Sequence, residues 1–277
     1  NKWLYNASTT REAVSLTGTG MLNLSGDGTT GNLGTAEKRG AFTIDKDLTV
    51  TTLGYSMGYV YANLTNAGTI TTKAGDLILN GNTIENTGSI VTGGKAITLQ
   101  NATVNGNGTL NGANGTLQLN GATVNNSTLT GNLLAYGDSS TLNQVTVDAN
   151  GTLDIQARVV AQGTISIDGT VTVQSNKWLY NESAEEAVSL FGTGTLNLSG
   201  EGTAGNLGST ENRGAFVIGK NLTVTTLGYT TGYIYANLTN AGTITTKVGD
   251  LTLDGNTIVN AGTIVTGGNR SITLKGT

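Results

Sequence analysis

The sequence of 277 residues contains no cysteine, no proline and no histidine. Without cysteine the chain can form neither a disulfide nor a thiolate nucleophile, and without histidine it lacks the commonest metal ligand and general base. A Ser-His-Asp triad and a zinc site built on histidine or cysteine are therefore excluded. We expect no metal site and no cofactor.

Charged residues and long apolar runs are also scarce. Charged side chains make up 12% of the sequence and the net charge is −4, whereas soluble domains average roughly 25% charged residues. No basic patch is present, so nucleic acid is not an expected partner. No apolar run approaches the roughly 18 residues of a membrane span, so we expect no transmembrane segment. Asn1 is not an initiator methionine and no signal-like segment follows it, so we interpret the chain as a fragment of a longer protein.

The sequence repeats itself over a long period. The motif "NKWLYN" begins at Asn1 and again at Asn176, and segments 41–73 and 215–247 are identical at most of their positions. We therefore divide the chain into a full copy, residues 1–175, and a partial copy, residues 176–277.

A shorter period of about 20 residues lies within each copy, at the lower end of the range that is typical of solenoid repeats. The motifs "NAGTI", "NTGSI" and "NGNGTL" end at Ile70, Ile90 and Leu110, and two other apolar positions advance by the same step. Locally, apolar and polar residues alternate, which is the strand period, and glycine and asparagine separate the short strands.

Three short strands in every repeat of about 20 residues predict an all-β fold, a right-handed parallel β-helix (β-solenoid) that runs continuously over 1–277. Each repeat would form one coil, and stacked coils would place Ile70, Ile90 and Leu110 on one inner line. The alternative all-β architecture, a pair of β-sandwiches, is disfavoured because sandwich strands do not recur in three fixed phases. Two glycine-rich segments, 26–40 and 200–214, break the rhythm and are predicted to be loops that protrude from the coils.

Segments such as "NAGTITTKAGDLILNGNTIENTGSI", residues 66–90, resemble the passenger regions of large secreted bacterial surface proteins, namely filamentous-haemagglutinin-like exoproteins and autotransporter adhesins. The resemblance covers essentially the whole chain, but no secretion-domain motif is present. It implies a long β-helix with tandem duplications, located outside the cell or on the bacterial cell surface.

Acidic residues do not form the pattern of a β-helical polysaccharide-degrading enzyme. Asp45, Asp47 and Asp76 come nearest to a cluster, yet the second copy has Gly219 and Asn221 at the first two positions. Only Asp76 has an acidic counterpart, Asp250. We therefore expect that the chain is not an enzyme. Thr-x-Thr strands also resemble those of ice-binding solenoids, but segments such as "LILN" are predicted to interrupt any such row.

Asn-x-Ser/Thr sequons are frequent, and a chain rich in Asn, Ser and Thr forms many of them by chance. The three in the region that both copies share, Asn6, Asn23 and Asn63, recur in the second copy, which gains Asn221. Some adhesins of the resembled class are glycosylated at such sites. The candidate glycosylation sites are Asn6, Asn23, Asn63, Asn181, Asn197, Asn221 and Asn237.

Tyrosine is concentrated in two matching strands. Alternation around Val60 and Ile234 predicts that the coil interior takes the aliphatic side chains and that the tyrosines point outward. Outward aromatic pairs could contact sugar rings or a partner protein; alternatively, they cover the base of the protruding loop or fill a groove where the coils bend. The candidate contact residues are Tyr59, Tyr61, Tyr233 and Tyr235.

Together these patterns favour a non-enzymatic repeat stalk of a secreted bacterial surface adhesin, a stiff rod for attachment to a cell, a host or its matrix. The expected partners are host or matrix glycans or proteins. The alternative is a subunit of an extracellular structural filament, assembled through exposed coil ends. A carbohydrate-active enzyme is the least favoured hypothesis.

Overall fold

The computed structural model describes residues 2–7, 12–183, 185–198, 205–211, 213–255 and 257–275. Over these residues the strands make about 11 turns of a β-solenoid, with parallel neighbours about 20 residues apart. None of the described residues lies in a helix, so none forms a helix that could cross a membrane. The prediction of a parallel β-solenoid is confirmed.

The chain divides into two compact units, Asn1–Leu133 and Leu134–Thr277. Within each unit, the coils contribute strands to three columns. We number the columns from the Thr-x-Thr strands, so that the chain passes from the first column to the second and then to the third within one coil. The prediction of one uninterrupted solenoid over 1–277 concerns how the two units join and stays a prediction.

In unit 1 the first column carries the Thr-x-Thr strands. It comprises β3 (Met21–Asn23), β7 (Thr49–Thr51), β10 (Thr69–Thr71), β13 (Ser89–Val91) and the start of β16 (Thr109–Asn120). The second column comprises β1 (Lys2–Leu4), β5 (Thr29–Leu33), β8 (Gly58–Val60), β11 (Leu77–Asn80), β14 (Ile97–Gln100) and the end of β16. The third column comprises β2 (Val14–Leu16), β6 (Ala41–Ile44), β9 (Asn63–Asn66), β12 (Thr83–Asn86), β15 (Thr103–Asn105) and β17 (Thr123–Asn125).

Unit 2 also has three columns, which we number so that matching sequence motifs carry the same number as in unit 1. The first comprises β21 (Thr152–Ile155), β24 (Thr170–Val173), β27 (Thr195–Asn197), β30 (Thr223–Thr225), β33 (Thr243–Thr245) and β36 (Thr263–Val265). The second comprises β19 (Ser140–Asn143), β22 (Arg158–Gln162), β25 (Trp178–Tyr180), β28 (Asn206–Gly208), β31 (Gly232–Tyr235), β34 (Leu251–Asp254) and β37 (Ile272–Lys275). The third comprises β20 (Thr146–Val147), β23 (Thr164–Ile167), β26 (Val188–Phe191), β29 (Ala215–Ile218), β32 (Asn237–Asn240) and β35 (Ile258–Asn260).

Two further strands complete the described set. β4 (Ser25–Gly26) pairs antiparallel with the beginning of β5. β18 (Thr128–Ala135) contains the boundary between the units.

The core of each unit is a set of aliphatic ladders. Ile70 pairs with Ile90, and Ile90 with Leu110, in a parallel register, and all three side chains are fully buried. Leu77, Ile97 and Leu117 form a second such line. Each strand pairs with the matching strand one coil later, so similar residues stack on one another. The predicted inner line of Ile70, Ile90 and Leu110 is confirmed.

Asparagine also stacks inside the coils. The side-chain nitrogen of Asn66 donates a hydrogen bond to Asn86 Oδ1 at 2.7 Å, and Asn240 donates to Asn260 Oδ1 at 2.7 Å. Asn66, Asn86 and Asn240 are fully buried. A buried amide is tolerated best when it finds a partner, and the next coil supplies one to the side-chain nitrogens of Asn66 and Asn240. Asn66 Oδ1 and Asn86 Nδ2 are buried without a partner.

The structure corrects one prediction about the protruding loops and one about the Thr-x-Thr strands. Residues 26–40 do not form a loop throughout, because β5 lies inside the second column and pairs with β1 and β8. The matching segment contains β28, which pairs with β25 and β31; residues 200–204 and 212 lie outside the described residues. The "LILN" strands do not interrupt the Thr-x-Thr strands, because the two kinds of strand belong to different columns. In unit 1 the interruption comes from the first column itself, where β3 is MLN and β13 is SIV.

A substitution in the inner ladder tests this architecture. We expect Ile90→Ala to lower the free energy of unfolding by about 2–5 kcal/mol, because it leaves a cavity between two coils that cannot close around it. The control is Val91→Ala in the same strand, whose side chain is half-buried. Urea unfolding followed by circular dichroism measures both. Equal effects of the two substitutions would contradict the stacked core.

Candidate binding site

The two tyrosine pairs lie on the outer face of the second column. Val60 and Ala62 are fully buried, whereas Tyr59 and Tyr61 between and beside them are half-buried. The rings of Tyr59 and Tyr61 stack with their centroids 5.7 Å apart and their planes at 4°. Tyr233 and Tyr235 form the matching pair at 5.1 Å and 4°. The alternation therefore orients the tyrosines as the sequence suggests; their role as contact residues stays a prediction.

The ring environment affects ionisation of the second tyrosine of each pair. Burial, followed by the neighbouring Tyr59, raises the pKa of Tyr61 above its ordinary value, and Arg39 opposes the change. Burial and Tyr233 likewise raise the pKa of Tyr235. Both phenols are therefore uncharged at neutral pH and remain available as hydrogen-bond donors and acceptors.

A second aromatic strand lies two coils before each tyrosine pair. In unit 2, Trp178 pairs with Asn206, and Asn206 pairs with Tyr233. In unit 1, Trp3, Asn32 and Tyr59 have the same relation. The triplets "WLY", "NLG" and "YVY" or "YIY" thus stack on three successive coils, with the central aliphatic residue on the inner side and its two neighbours on the outer side.

This stacking leaves a depression with aromatic sides and a small floor. Two coil spacings put the α-carbons of the flanking aromatic residues about 9.6 Å apart. We call the two depressions the first slot and the second slot. The first slot comprises Trp3, Tyr5, Asn32, Gly34, Tyr59 and Tyr61; the second comprises Trp178, Tyr180, Asn206, Gly208, Tyr233 and Tyr235.

The floor glycines are required by the backbone. Gly34 and Gly208 adopt φ values of 77° and 81°, a conformation that favours glycine. A Cβ atom at Gly208 would lie 2.2 Å from the carbonyl oxygen of Tyr235, and one at Gly34 would lie 2.8 Å from the amide nitrogen of Ala62. No side chain can therefore fill the floor at these positions.

The floor asparagine supports the tryptophan in unit 1. The amide of Asn32 is oriented so that its nitrogen donates to the carbonyl of Gly31 at 3.2 Å and its oxygen accepts from Trp3 Nε1 at 3.0 Å. Asn32 is buried while Trp3 is 55% exposed. The indole is thus fixed at one edge and open to solvent over much of its surface.

Extra chain length forms the rim of each slot. The coil from Trp3 to Asn32 and the coil from Asn32 to Tyr59 are both longer than a regular coil such as the one from Ile97 to Leu117. Part of the surplus is the turn at Thr35, whose amide N–H donates to the carbonyl oxygen of Lys38 at 3.0 Å. Thr35 and Ala36 then line the cavity beside the aromatic residues.

An arginine anchors this rim to a following coil. Arg39 Nη1 donates to the carbonyl of Asn80 at 2.8 Å and also to that of Gly81. In unit 2, Arg213 Nη1 donates to the carbonyl of Asp254 at 2.8 Å and forms an ion pair with its carboxylate at the same distance. The rim is therefore held in place in both units.

The resulting cavities differ in size. The first slot opens into a cavity of about 420 Å³ lined by Trp3, Thr30, Asn32, Thr35, Ala36, Tyr59 and Tyr61. The second slot borders a cavity of about 150 Å³ lined by Arg158, Trp178, Tyr180, Ser209, Thr210 and Glu211. The smaller cavity lies between Trp178 and the coil before it, where Arg158 pairs with Trp178. The guanidinium of Arg158 lies 4.8 Å from the ring centroid of Tyr180, which is only 4% exposed.

The candidate glycosylation sites fall into three groups. Asn6, Asn181 and Asn197 are buried; Asn237 is half-buried; Asn23, Asn63 and Asn221 are exposed. The side-chain nitrogens of Asn6 and Asn181 each donate to two main-chain carbonyls. Burial therefore removes these amides from reach in the folded chain, and modification of the exposed three stays a prediction.

The repeated acidic residue has a structural contact. Asp76 Oδ1 accepts the amide N–H of Ala96 at 2.9 Å, and Asp250 Oδ1 accepts that of Ser271 at 2.7 Å. That main-chain hydrogen bond is the largest cause of the lowered pKa of Asp250. Each carboxylate holds the turn of the following coil, which accounts for its presence in both copies. Among the described residues, no group of three or more acidic side chains is placed to hold a metal ion.

Sequence reasoning missed Trp3, Trp178 and the floor residues as members of this site. The signal was present in the aromatic-aliphatic-aromatic triplets, which begin at Trp3, Tyr59, Trp178 and Tyr233. The triplets could not be aligned from the sequence alone. The coils between them are longer than the regular period, so only the strand register of the structure shows that they stack.

The chain was compared with protein-family models, with curated proteins and with solved structures, and none matches it.

A buried sequon asparagine should matter for stability. We expect Asn181→Ala to lower the free energy of unfolding by about 1–3 kcal/mol, because two carbonyl oxygens lose a buried donor. Asn221→Ala, at an exposed sequon, should change it by no more than about 0.5 kcal/mol. Urea unfolding of the two variants measures the difference, and a stable Asn181→Ala variant would show that the amide does not anchor the coil.

The tyrosine pair should be dispensable for folding. We expect Tyr59→Ala combined with Tyr61→Ala to remove about 0.5–1.5 kcal/mol of ring stacking and part of the half-buried ring surface, but no core residue. Thermal unfolding should still be cooperative, as it should in the control Tyr55→Ala, whose ring is 84% exposed. A loss as large as that of Ile90→Ala would mean that the rings belong to the core.

Proposed function

We propose that this chain is a non-enzymatic repeat stalk of a secreted bacterial surface adhesin. It acts outside the cell or on the bacterial surface, as a stiff element that presents contact sites to a host cell or its matrix. The observation that carries the proposal is the duplication of an outward aromatic site on a β-solenoid whose interior is filled with side chains.

The core supports a mechanical role. Over the described residues of each unit, aliphatic ladders and buried asparagines fill the interior, and the aromatic slots lie on the outer face, where they can contact other molecules. Parallel backbone hydrogen bonds connect each coil to the next, and a repeat array of this kind gains its stability from such neighbour contacts. A structure of this type resists bending while it exposes side chains along its length.

The slots support a role in attachment. Exposed aromatic residues are enriched where proteins contact partners, because they contribute large contact area with little conformational entropy. Two slots with the same aromatic pattern in one chain allow weak contacts to combine, because linked sites bind with an effective concentration that the linker between them sets. Weak, repeated binding is well suited to a protein that attaches a cell to a surface.

Attachment can be measured directly with beads. We expect polystyrene beads coated with the purified chain to adhere to epithelial cell layers and to fibronectin or collagen surfaces more than beads coated with serum albumin. The soluble chain should displace them. Adhesion no greater than that of albumin beads on every surface would contradict the proposal.

The same preparation tests the other two hypotheses. An apparent molar mass from light scattering that rises with protein concentration, without bead attachment, would favour the filament subunit. Release of reducing sugar from polysaccharides by the wild-type chain, lost on Asp76→Ala, would favour the enzyme.

A further inference from the structure

We propose that each slot is a binding site for a neutral oligosaccharide, which enters across the floor asparagine and contacts the aromatic residues on either side. The inference rests on the proposed attachment function and specifies the chemical class of its ligand.

The shape of the slot fits a sugar ring. Its sides lie two coils apart, about 9.6 Å between α-carbons, which leaves room for one ring between side chains. Gly34 and Gly208 carry no side chain that could project into the slot, because the neighbouring coil's backbone occupies the space that a Cβ atom would need. A cavity of about 420 Å³ in unit 1 falls within the range of about 300–1,000 Å³ that small-ligand sites occupy.

The chemistry of the lining also fits a sugar. A pyranose has C–H groups that contact aromatic rings and hydroxyl groups at its edge that both donate and accept hydrogen bonds. The first slot offers two hydroxyls, from Thr30 and Thr35, and the amide of Asn32 beside its aromatic residues. The Asn32 amide retains one N–H and one lone pair beyond its two hydrogen bonds.

Charge disfavours a cationic ligand. Aromatic sites bind cations readily, but here the protein's own cations lie over the rings. Lys38 Nζ is 5.9 Å from the ring centroid of Tyr5, and the guanidinium of Arg158 is 4.8 Å from that of Tyr180. A second cation at the Tyr5 ring would be repelled by Lys38, whereas an uncharged ligand would not. Beside the Tyr180 ring, Glu182 accepts a hydrogen bond from the tyrosine hydroxyl and Glu211 lines the cavity, so the argument from charge applies to the first slot.

A proline-rich peptide is the main competitor, because it also docks on aromatic grooves. Hydroxyl and amide groups surround the aromatic residues of the slot, and they find more partners on a sugar than on a peptide of this kind. The sugar is therefore the occupant that the lining favours, and the peptide becomes an outcome of the test.

The chain contains its own reporter for binding. It has two tryptophans, Trp3 and Trp178, and each belongs to one slot. Binding in a slot should therefore change the intrinsic tryptophan fluorescence. The variant Trp3→Phe leaves Trp178 as the single reporter, and Trp178→Phe leaves Trp3, so each slot can be read separately in the intact chain.

The experiment begins with a glycan array and continues by titration. The labelled wild-type chain is screened on an array of neutral oligosaccharides, and cellotetraose, chitotetraose, maltotetraose and the best array ligand are then titrated to about 10 mM, where a site with a Kd near 1 mM is mostly filled. We expect a saturable fluorescence change for at least one of them. A combined Asn32→Leu and Asn206→Leu variant should weaken binding at least about tenfold, because the edge hydroxyls lose their partner.

Matched controls separate the slot from surface tyrosine in general. Tyr55 and Tyr229 are each 84% exposed and lie outside the slots, so Tyr55→Ala with Tyr229→Ala should bind as the wild type does. Tyr59→Ala with Tyr233→Ala should lose binding while its thermal unfolding stays cooperative.

Three results would overturn the inference: no array ligand or titrated sugar binds, the leucine variant binds as well as the wild type, or a proline-rich peptide binds in place of the sugars. Failure of the slots is distinguishable from failure of the proposed function. If coated beads attach and the leucine variant attaches equally well, the proposed attachment function is supported but the sugar-binding role of the slots is contradicted. If sugars bind but beads do not attach, the sites stand without the stalk.

Discussion

Backbone hydrogen bonding between successive coils is the interaction on which the rest of this structure depends. Each strand finds its partners in the coils before and after it, so a single coil satisfies few of its own main-chain groups. The parallel register that results places Ile90 between Ile70 and Leu110 and buries all three. The aliphatic core is therefore a product of the ladder, and each buried aliphatic side chain adds about 1.5–3 kcal/mol once the ladder exists.

The same register explains why so many polar residues occur in the sequence. Short strands end in frequent turns, and the main-chain groups in the turns need partners. Asn181 serves two carbonyls, Asp76 receives an N–H from the next coil, and Asn66 pairs with its own counterpart one coil later. Asparagine supplies both a donor and an acceptor on a short side chain, so it can fill such positions at nearly any coil.

The fold could be predicted from the sequence because its signals are periodic. Ile70, Ile90 and Leu110 recur at equal spacing, and alternation around Val60 was enough to orient Tyr59 and Tyr61. The slots could not be predicted, because two lengthened coils separate Trp3 from Tyr59. Only the strand register shows that the two residues stack above and below Asn32. The burial of sequon residues such as Asn181 could not be predicted either, because the Asn-x-Ser/Thr pattern is the same for buried and for exposed asparagines.

A slot assembled from three consecutive coils has a consequence for inheritance. Recombination between the long copies exchanges segments that are already in register, so it adds or removes a slot as a complete unit. Under the proposed function, the number of binding sites then changes in whole steps while each slot keeps its geometry. Combined binding grows with the number of linked sites, so the proposed attachment would strengthen without any gain in the affinity of a single slot.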